Sequence, residues 1–182
     1  MSDDDWKASY KHGTWVIWPE GELSVVANAL RTKYDPESQG YCPAHITLTQ
    51  PFIEEPASNA WDQIEAVLQS TKPISVVAGP LGTFPGSTVL RFEIQPADSI
   101  LHLRHQLHRT GLFDLTMPFT EGFVPHLTVS EFGLDAPTDV QEVLASVGND
   151  LGPFRFHCDA ISYIRPDEDF TFRTVRSLAL MG

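Results

Sequence analysis

Two short segments that lie nearly half the chain apart repeat one pattern of side chains. They read PAHITLTQPF and PHLTVSEF, and they place His45 two residues before Thr47 and His126 two residues before Thr128. Imidazole gives and takes protons near neutral pH, and a hydroxyl can donate a hydrogen bond to an anionic oxygen. Two such pairs in one site would suit acid–base cleavage of a phosphodiester without a metal ion.

Strand geometry predicts how each segment presents these groups. Side chains alternate between the two faces of a strand, so His45, Thr47 and Thr49 share one face. The same holds in the second segment, where Ser130 takes the place of Thr49. A polar face that is buried without partners is costly, so it must meet water or a ligand. Thr49 and Ser130 lie farther along their strands and are interpreted as structural.

Brought together by pseudo-two-fold symmetry, the two strands would line one cleft. A neutral imidazole could take a proton from water or a ribose hydroxyl, and a protonated one could donate to the leaving oxygen. The threonine hydroxyls could hold the non-bridging phosphate oxygens. A single histidine of this kind is more often a polar residue on a half-exposed strand. The repeated threonine at the same offset favours catalysis, although the repeat leaves the base and the acid unassigned.

Hydrophobic spacing predicts the order β-α-β-α-β-β-α-β-α-β-β along the chain. This mixture of helices with hairpin-like strand pairs indicates an α+β fold, not a doubly wound parallel sheet. We therefore expect a single bilobal domain over residues 1–182, with two pseudo-symmetric lobes and largely antiparallel sheets flanking a central cleft.

The helix ends carry recognisable signals. The first helix is predicted over Glu22–Tyr34, and the following segment, YDPESQGY, is predicted to be a polar loop. The residues expected at the ends of the later helices are Ser58 or Asn59 as a cap, Ser99 as a cap, Gly111 as a terminator, Pro137 early in the last helix and Gly148 just past its end.

The charge balance limits the partners. The chain has 24 acidic and 12 basic residues and a formal net charge of −12, which repels long polyanions and anionic membranes. Any nucleotide substrate is therefore expected to be small, and double-stranded DNA is not an expected partner. There is no apolar run of membrane-spanning length, we expect no signal peptide, and the two cysteines suggest reduced thiols. A cytoplasmic monomer without a cofactor is expected.

Other side chains are candidates to contact a nucleotide. Arg91 alternates with apolar neighbours and so faces away from them, which would suit a phosphate contact. Arg173 and Arg176 lie on opposite faces of the last predicted strand, so only one can point inward, and Arg173 is the candidate. Tyr41 and Tyr163 could stack on a base or ribose.

The segment HLRHQLHR holds three histidines that could be read as a metal site. On a helical wheel His102, His105 and His108 spread away from the apolar side, and no fourth ligand is evident. They are interpreted as a solvated helix face. A metal-dependent hydrolase using His102 and His105 is the weaker alternative.

The paired His-x-Thr motifs in a chain of this length resemble the 2H phosphoesterase superfamily, which includes bacterial 2'-5' RNA ligase-like proteins and cyclic nucleotide phosphodiesterases. WVIWPEGELSVVANAL resembles the opening strand and helix of that family, and AISYIRP with FTFRTVRSLAL its closing strand pair. The resemblance implies a bilobal fold and metal-independent cleavage of 2',3'-cyclic phosphates or related linkages. It carries the functional roles to His45, Thr47, His126 and Thr128.

Together with this resemblance, the sequence therefore predicts a cyclic phosphodiesterase whose substrate is a small nucleotide or an RNA end that bears a cyclic phosphate. The alternative from another class is a module that retains this fold, binds a nucleotide or an RNA end and has little turnover. A purely structural role would leave the repeated motif unexplained.

Overall fold

The structure, a computed structural model, describes residues 7–131, 139–147 and 151–182. Its strands are β1 (Thr14–Ile17), β2 (Ile46–Thr47), β3 (Ile74–Thr83), β4 (Val89–Gln95), β5 (His126–Glu131), β6 (Phe154–Cys158), β7 (Ala160–Pro166) and β8 (Phe172–Ala179). Its helices are α1 (Gly21–Tyr34), α2 (Pro36–Tyr41), α3 (Ser58–Gln69), α4 (Ala97–His108) and α5 (Val140–Val147).

The strands form one eight-stranded sheet in the order β6-β3-β4-β5-β2-β1-β7-β8. Every pairing in it is antiparallel. The motif strands β2 and β5 are adjacent at its centre, and each pairs on its outer side with the strand that precedes it in the chain. The predicted α+β, two-lobed and antiparallel fold is confirmed. The two lobes share a continuous sheet.

Apolar side chains from the sheet and helices form the main core. Ile46 and Leu127 are fully buried at the centre of the sheet, and Trp15 is buried beside them on β1. Each of α1, α3 and α4 buries residues at spacings of three or four, such as Ile64 and Leu68 on α3. Burial of these apolar stripes holds the helices against the sheet. Within the described residues, no helix is long and apolar enough to span a bilayer.

The segment predicted to be a loop before the first motif is a short helix, so that prediction is wrong. Pro36 lies in its first turn, and the Asp35 carboxylate accepts a hydrogen bond from the Ser38 amide at 3.1 Å. An acidic cap followed by proline is a helix-start signal, but six residues carry too little periodicity to reveal a helix.

Two predicted helix caps are also wrong. The N-cap positions of α3 and α4 are Ala57 and Pro96, and neither position has a side-chain cap hydrogen bond. Ser58 and Ser99 therefore lie inside the helices that they were expected to cap. The expected ends of the last helix, Pro137 and Gly148, fall outside the described residues.

The segment FRFHCDAISYIRP, which side-chain alternation predicts to be a single closing strand, forms two strands. β6 pairs with β3 at one side of the sheet, whereas β7 pairs with β1 and β8 at the other. The first motif segment is also shorter than expected, because only Ile46 and Thr47 belong to β2. Beyond them, the amides of Leu48 and Thr49 both donate to the Trp15 carbonyl.

Candidate functional site

The pairing of β2 with β5 brings the two motifs together. Ile46 faces Leu127 across the strands, and each lies between the histidine and the threonine of its own motif. Because the strands are antiparallel, each histidine lies opposite the threonine of the other motif. The two histidines are therefore diagonal neighbours across the strand pair, and such residues lie about 7–8 Å apart. The histidines also interact electrostatically.

The four motif side chains line one cavity of about 240 Å³. Arg31 and Arg104 line the same cavity, as do Gln50 and Glu131 from the ends of the two motif segments. The exposed Phe119 and the half-buried Phe123 contribute an aromatic part to its wall. The cavity therefore combines two imidazoles, hydroxyls and cations in one recess.

Each histidine ring is held by a backbone carbonyl two residues before it. His45 Nδ1 lies 2.8 Å from the Pro43 oxygen, and His126 Nδ1 lies 2.7 Å from the Val124 oxygen. A carbonyl oxygen only accepts hydrogen bonds, so Nδ1 carries the proton in both rings. In the neutral rings Nε2 then has a free lone pair, which is the state required of a general base.

Both histidine pKa values are lowered. Burial lowers the pKa of His45 to about 4, a shift that its carbonyl hydrogen bond opposes and the positive charge of Arg31 increases. Burial also lowers the pKa of His126, with a further contribution from Arg91. Both rings are therefore neutral at pH 7 in the free protein. A bound anion would favour their charged forms and raise both pKa values.

Two buried arginines bind backbone carbonyls within or directly before the motif segments. Arg31 donates from Nε to the Cys42 carbonyl and from Nη1 to the Thr128 carbonyl, each at 3.2 Å. Arg104 donates from Nη1 to the Leu48 carbonyl at 2.8 Å. Both side chains are more than nine-tenths buried. They hold the two segments in place and supply positive charge to the cavity.

Sequence reasoning missed both arginines, although a signal for them exists. Arg31 continues the buried stripe of Leu23 and Ala27 at a four-residue spacing, and Arg104 follows the buried Ile100 in the same way. A charged side chain on the apolar face of a helix is rarely buried unless it has partners. Such a residue is a candidate for a structural or functional role.

A β-bulge changes which residues of β5 face the cavity. Arg91 pairs with Thr128, but its neighbour Leu90 pairs with Ser130, so β5 has one extra residue between these pairs. The extra residue reverses the alternation of side chains. Ser130 is therefore 1% exposed, and Glu131 lines the cavity instead. The prediction that Ser130 shares the face of Thr128 is wrong.

The first motif segment shows the same pattern of a buried hydroxyl followed by a residue that lines the cavity. Thr49 is fully buried, and its hydroxyl accepts a hydrogen bond from the Trp15 amide at 3.1 Å. Gln50 lines the cavity, and its Nε2 donates to Thr120 Oγ1 at 2.9 Å. If the histidine is counted as residue one, the first, third and sixth residues of each motif segment line the cavity. The burial of Thr49 and Ser130 agrees with a structural role for both.

Three of the predicted substrate contacts lie away from the cavity. Tyr163 is 1% exposed within the core, where its hydroxyl donates to the His12 carbonyl at 2.8 Å. Arg173 is paired with Asp167, with 3.2 Å between Nε and Oδ2. The Tyr41 hydroxyl donates to a neighbouring glutamate on α2. None of the three lines the cavity, so direct substrate contact is not supported for them.

Arg91 is on the cavity side of the sheet but does not line the cavity. Its guanidinium carbon lies 4.0 Å from the centre of the Phe84 ring, and Nη2 lies 3.4 Å from Glu93 Oε1. The side chain is 5% exposed, and Nε and Nη1 have no hydrogen-bond partner among the described residues. The structure therefore supports an electrostatic effect of Arg91 on His126, and not the predicted phosphate contact.

The three helical histidines do not share one environment. His102 and His105 are exposed, whereas His108 is 8% exposed and accepts a hydrogen bond at Nε2 from the Gln50 amide at 3.1 Å. The interpretation of His108 as part of a solvated face is therefore wrong. In the part of the chain that the structure describes, no three His, Cys, Asp or Glu side chains are grouped to hold a metal ion.

We expect His108 to make stability depend on pH. Burial, followed by repulsion from Arg104 and His105, lowers its pKa from 6.5 to about 4. The unfolded chain therefore binds the proton first as the pH falls. Stability is fully present above pH 6.5 and decreases down to about pH 4, with about 1–3 kcal/mol lost over this range. Urea unfolding of wild type and His108→Gln at several pH values measures the effect.

His108→Gln keeps every other titrating group of the wild type. The difference between the two pH profiles of unfolding free energy therefore reports on His108. Its free energy of unfolding should fall less steeply between pH 6.5 and pH 4 than that of the wild type. Parallel curves would show that His108 does not contribute to the acid sensitivity.

Both cysteines are free and buried. Burial raises the pKa of Cys42 and of Cys158 to about 12, so neither is a thiolate at neutral pH. The Cys42 sulfur lies 3.4 Å from His45 Nδ1, on the side of the ring that contacts the backbone. A nucleophilic role for either thiol is not supported.

Comparison with known proteins relates this site to a family. The model of the 2'-5' RNA ligase superfamily matches residues 19–170. A Bacillus cereus (strain B4264) protein named "Putative phosphoesterase" is 33% identical over 124 residues, which cover 66% of this chain and 70% of that protein. A protein of the same name from Bacillus mycoides (strain KBAB4) is 32% identical over the same shares.

Solved structures share the fold at low identity. TT0787 of Thermus thermophilus has a TM-score of 0.64 and 17% identity, with 93% of this chain and 97% of that chain covered. LigT of E. coli, crystallised with 3'-AMP, has a TM-score of 0.62 and 16% identity, with 94% and 99% covered. The family match extends over most of the chain and includes both His-x-Thr segments, so this protein belongs to the 2'-5' RNA ligase superfamily of 2H phosphoesterases.

Proposed function

We propose that this protein is a metal-independent phosphodiesterase that hydrolyses the 2',3'-cyclic phosphate of a small nucleotide or an RNA end, or a related 2'-5' linkage. The observation that carries the proposal is the diagonal placement of two imidazoles over one cavity, each ring held at Nδ1 by a carbonyl. Family membership supports a phosphoesterase, and the cavity volume suits a small ligand. The LigT of E. coli has been crystallised with 3'-AMP and with NADP+.

In the proposed reaction, Nε2 of one neutral histidine removes a proton from water as the water oxygen attacks phosphorus. The bond between phosphorus and one ribose oxygen breaks, and the second histidine, protonated, donates its Nε2 proton to that oxygen. One proton is taken and one is given, so the histidine pair ends in the reversed state. Thr47 and Thr128 would donate hydrogen bonds to the non-bridging oxygens. The charge of Arg31 and Arg104 would favour the anionic substrate.

We assign the base to His45 and the acid to His126. The pKa of His45 is lowered to about 4 by burial, so this ring remains neutral over the widest pH range. The pKa of His126 is also lowered, but a bound phosphate beside it would raise it toward neutrality. The product phosphate is proposed to leave after a proton has moved between the histidines through solvent.

The test is incubation of the purified protein with 2',3'-cyclic mononucleotides, ADP-ribose cyclic phosphate and 2'-5' linked oligonucleotides, with products detected by chromatography. We expect ring opening that persists in the presence of a chelator. The value of kcat/KM should rise as the base loses its proton above about pH 4 and fall as the acid loses its proton. Because the pKa of His126 is lowered, this optimum should lie below pH 6.5.

Binding of these ligands without any product would contradict the proposal and support the nucleotide-binding module instead. Complete loss of hydrolysis in chelator would contradict the metal-independent mechanism.

A further inference from the structure

The β5 bulge brings a carboxylate into the cavity. Without the extra residue between Thr128 and Ser130, regular alternation would place Ser130 toward the cavity and Glu131 away from it. Instead Glu131 lines the same recess as His126 and Thr128. Its backbone amide donates to Asp35 Oδ2 at 2.9 Å, which fixes this end of the strand.

The Glu131 carboxylate has no direct ion pair within the described residues. Partial desolvation in the recess raises its pKa, and Arg31 opposes this shift. No salt bridge joins the Glu131 carboxylate to a described basic side chain. The guanidinium of Arg31 instead uses two nitrogens to bind backbone carbonyls. The negative charge of Glu131 is therefore available to act on a ligand in the cavity.

Positively charged side chains outnumber negatively charged ones in the cavity wall. Two arginines and one glutamate line the cavity, and both histidines are neutral at pH 7 in the free protein. Glu131 therefore offsets part of the positive charge that the two arginines present to a bound anion. A phosphomonoester has a second pKa near 6 and carries nearly two negative charges above neutral pH. Its additional charge would be repelled by Glu131.

The first motif segment contains a neutral counterpart. Gln50 occupies the same position relative to His45 that Glu131 occupies relative to His126, and both side chains line the cavity. The amide and the carboxylate have nearly the same shape. Of these two side chains, only Glu131 carries a charge.

We propose that Glu131 determines the charge specificity of the cavity, so that a phosphodiester monoanion is bound in preference to a phosphomonoester dianion. This inference rests on the proposed function, since it concerns the same cavity, and it names the substrate class more closely. The selectivity would favour the cyclic ester over the monoester that its hydrolysis produces. This preference would favour release of the product.

The experiment compares two ligands that the protein cannot open by ring cleavage. They are 2'-deoxyadenosine 3'-monophosphate and its methyl ester, and their dissociation constants are measured by calorimetry at pH 8 and low ionic strength. The wild type should bind the methyl ester more tightly. In Glu131→Gln the ratio of the two constants should shift toward the monoester by about 5- to 30-fold, as expected for the loss of one nearby unit charge.

Glu22→Gln is the matched control, because it removes the same charge from an exposed position in the first turn of α1, outside the cavity. Its ratio should equal that of the wild type. Thermal unfolding of each variant checks that the fold is retained, and Glu131→Ala provides a second neutral variant with the same expected direction.

Turnover of a 2',3'-cyclic nucleotide is measured on the same samples. Retained turnover with an unchanged ratio in both Glu131 variants would overturn the role of Glu131 and leave the proposed function intact. Absence of turnover together with absence of ester binding in the wild type would overturn both proposals. A ratio that shifts equally in Glu22→Gln would show a general effect of net charge and would also overturn the role of Glu131.

Discussion

Replacing either His45 or His126 by alanine is expected to lower turnover of a 2',3'-cyclic nucleotide by about 10²–10⁴-fold, the usual contribution of one acid–base group. Both rings line the cavity, and each is oriented by a carbonyl at Nδ1, so alanine removes the proposed proton-transfer group at Nε2. The double variant should lose little more than either single one, because in the proposed reaction the two rings act in the same chemical step. Steady-state kinetics under saturating substrate measures the effect.

The matched control is His105→Ala, which removes an exposed imidazole from α4 outside the cavity. Its turnover should equal that of the wild type. If both single variants at the motif histidines retained wild-type turnover, the catalytic assignment would be rejected.

A second substrate distinguishes which histidine is the base and which is the acid. An aryl phosphodiester has a leaving group that departs without a proton, so it does not require the acid. His126→Ala should therefore lose much less activity on the aryl ester than on the cyclic nucleotide, whereas His45→Ala should lose activity on both. The reverse pattern would exchange the two roles.

The second large effect is expected on stability. Arg31→Met should lower the free energy of unfolding by about 2–4 kcal/mol, because it removes two charge-assisted hydrogen bonds and leaves the carbonyls of Cys42 and Thr128 without this partner. The Cys42 carbonyl directly precedes the first motif segment and the Thr128 carbonyl lies within the second, so the same change should also loosen the geometry of the cavity. Urea unfolding measures the loss of stability, and an unchanged m-value would confirm that the native state remains compact.

Arg109→Met is the matched control. Arg109 follows α4 directly, and its side chain is exposed. A surface change of this kind usually alters stability by about 0.5 kcal/mol or less. Arg31→Lys keeps the charge but cannot reproduce two donors in a fixed fork, so it should fall between wild type and the methionine variant. A loss below about 0.5 kcal/mol in Arg31→Met would contradict a structural role for this guanidinium.

The sequence alone was sufficient to predict the paired motifs and the fold class. Helix periodicity and strand alternation are local properties of the chain, so α1 and the central apolar residues Ile46 and Leu127 could be predicted from spacing. The repetition of His-x-Thr predicted that two distant segments meet, and their side chains do line one cavity. The resemblance on these residues led to the correct family.

Only the tertiary structure decided how the rest of the site is built. Alternation along β5 predicted that Ser130 shares the face of Thr128, but the bulge that turns Glu131 to that face depends on the pairing with β4. Tyr163 was expected at the ligand and is buried in the core, because the position of β7 in the sheet determines which of its faces is covered. The burial of Arg31 likewise depends on a carbonyl of the distant β5. Strand pairing and helix packing join residues far apart in the chain, and local spacing carries no information about those partners.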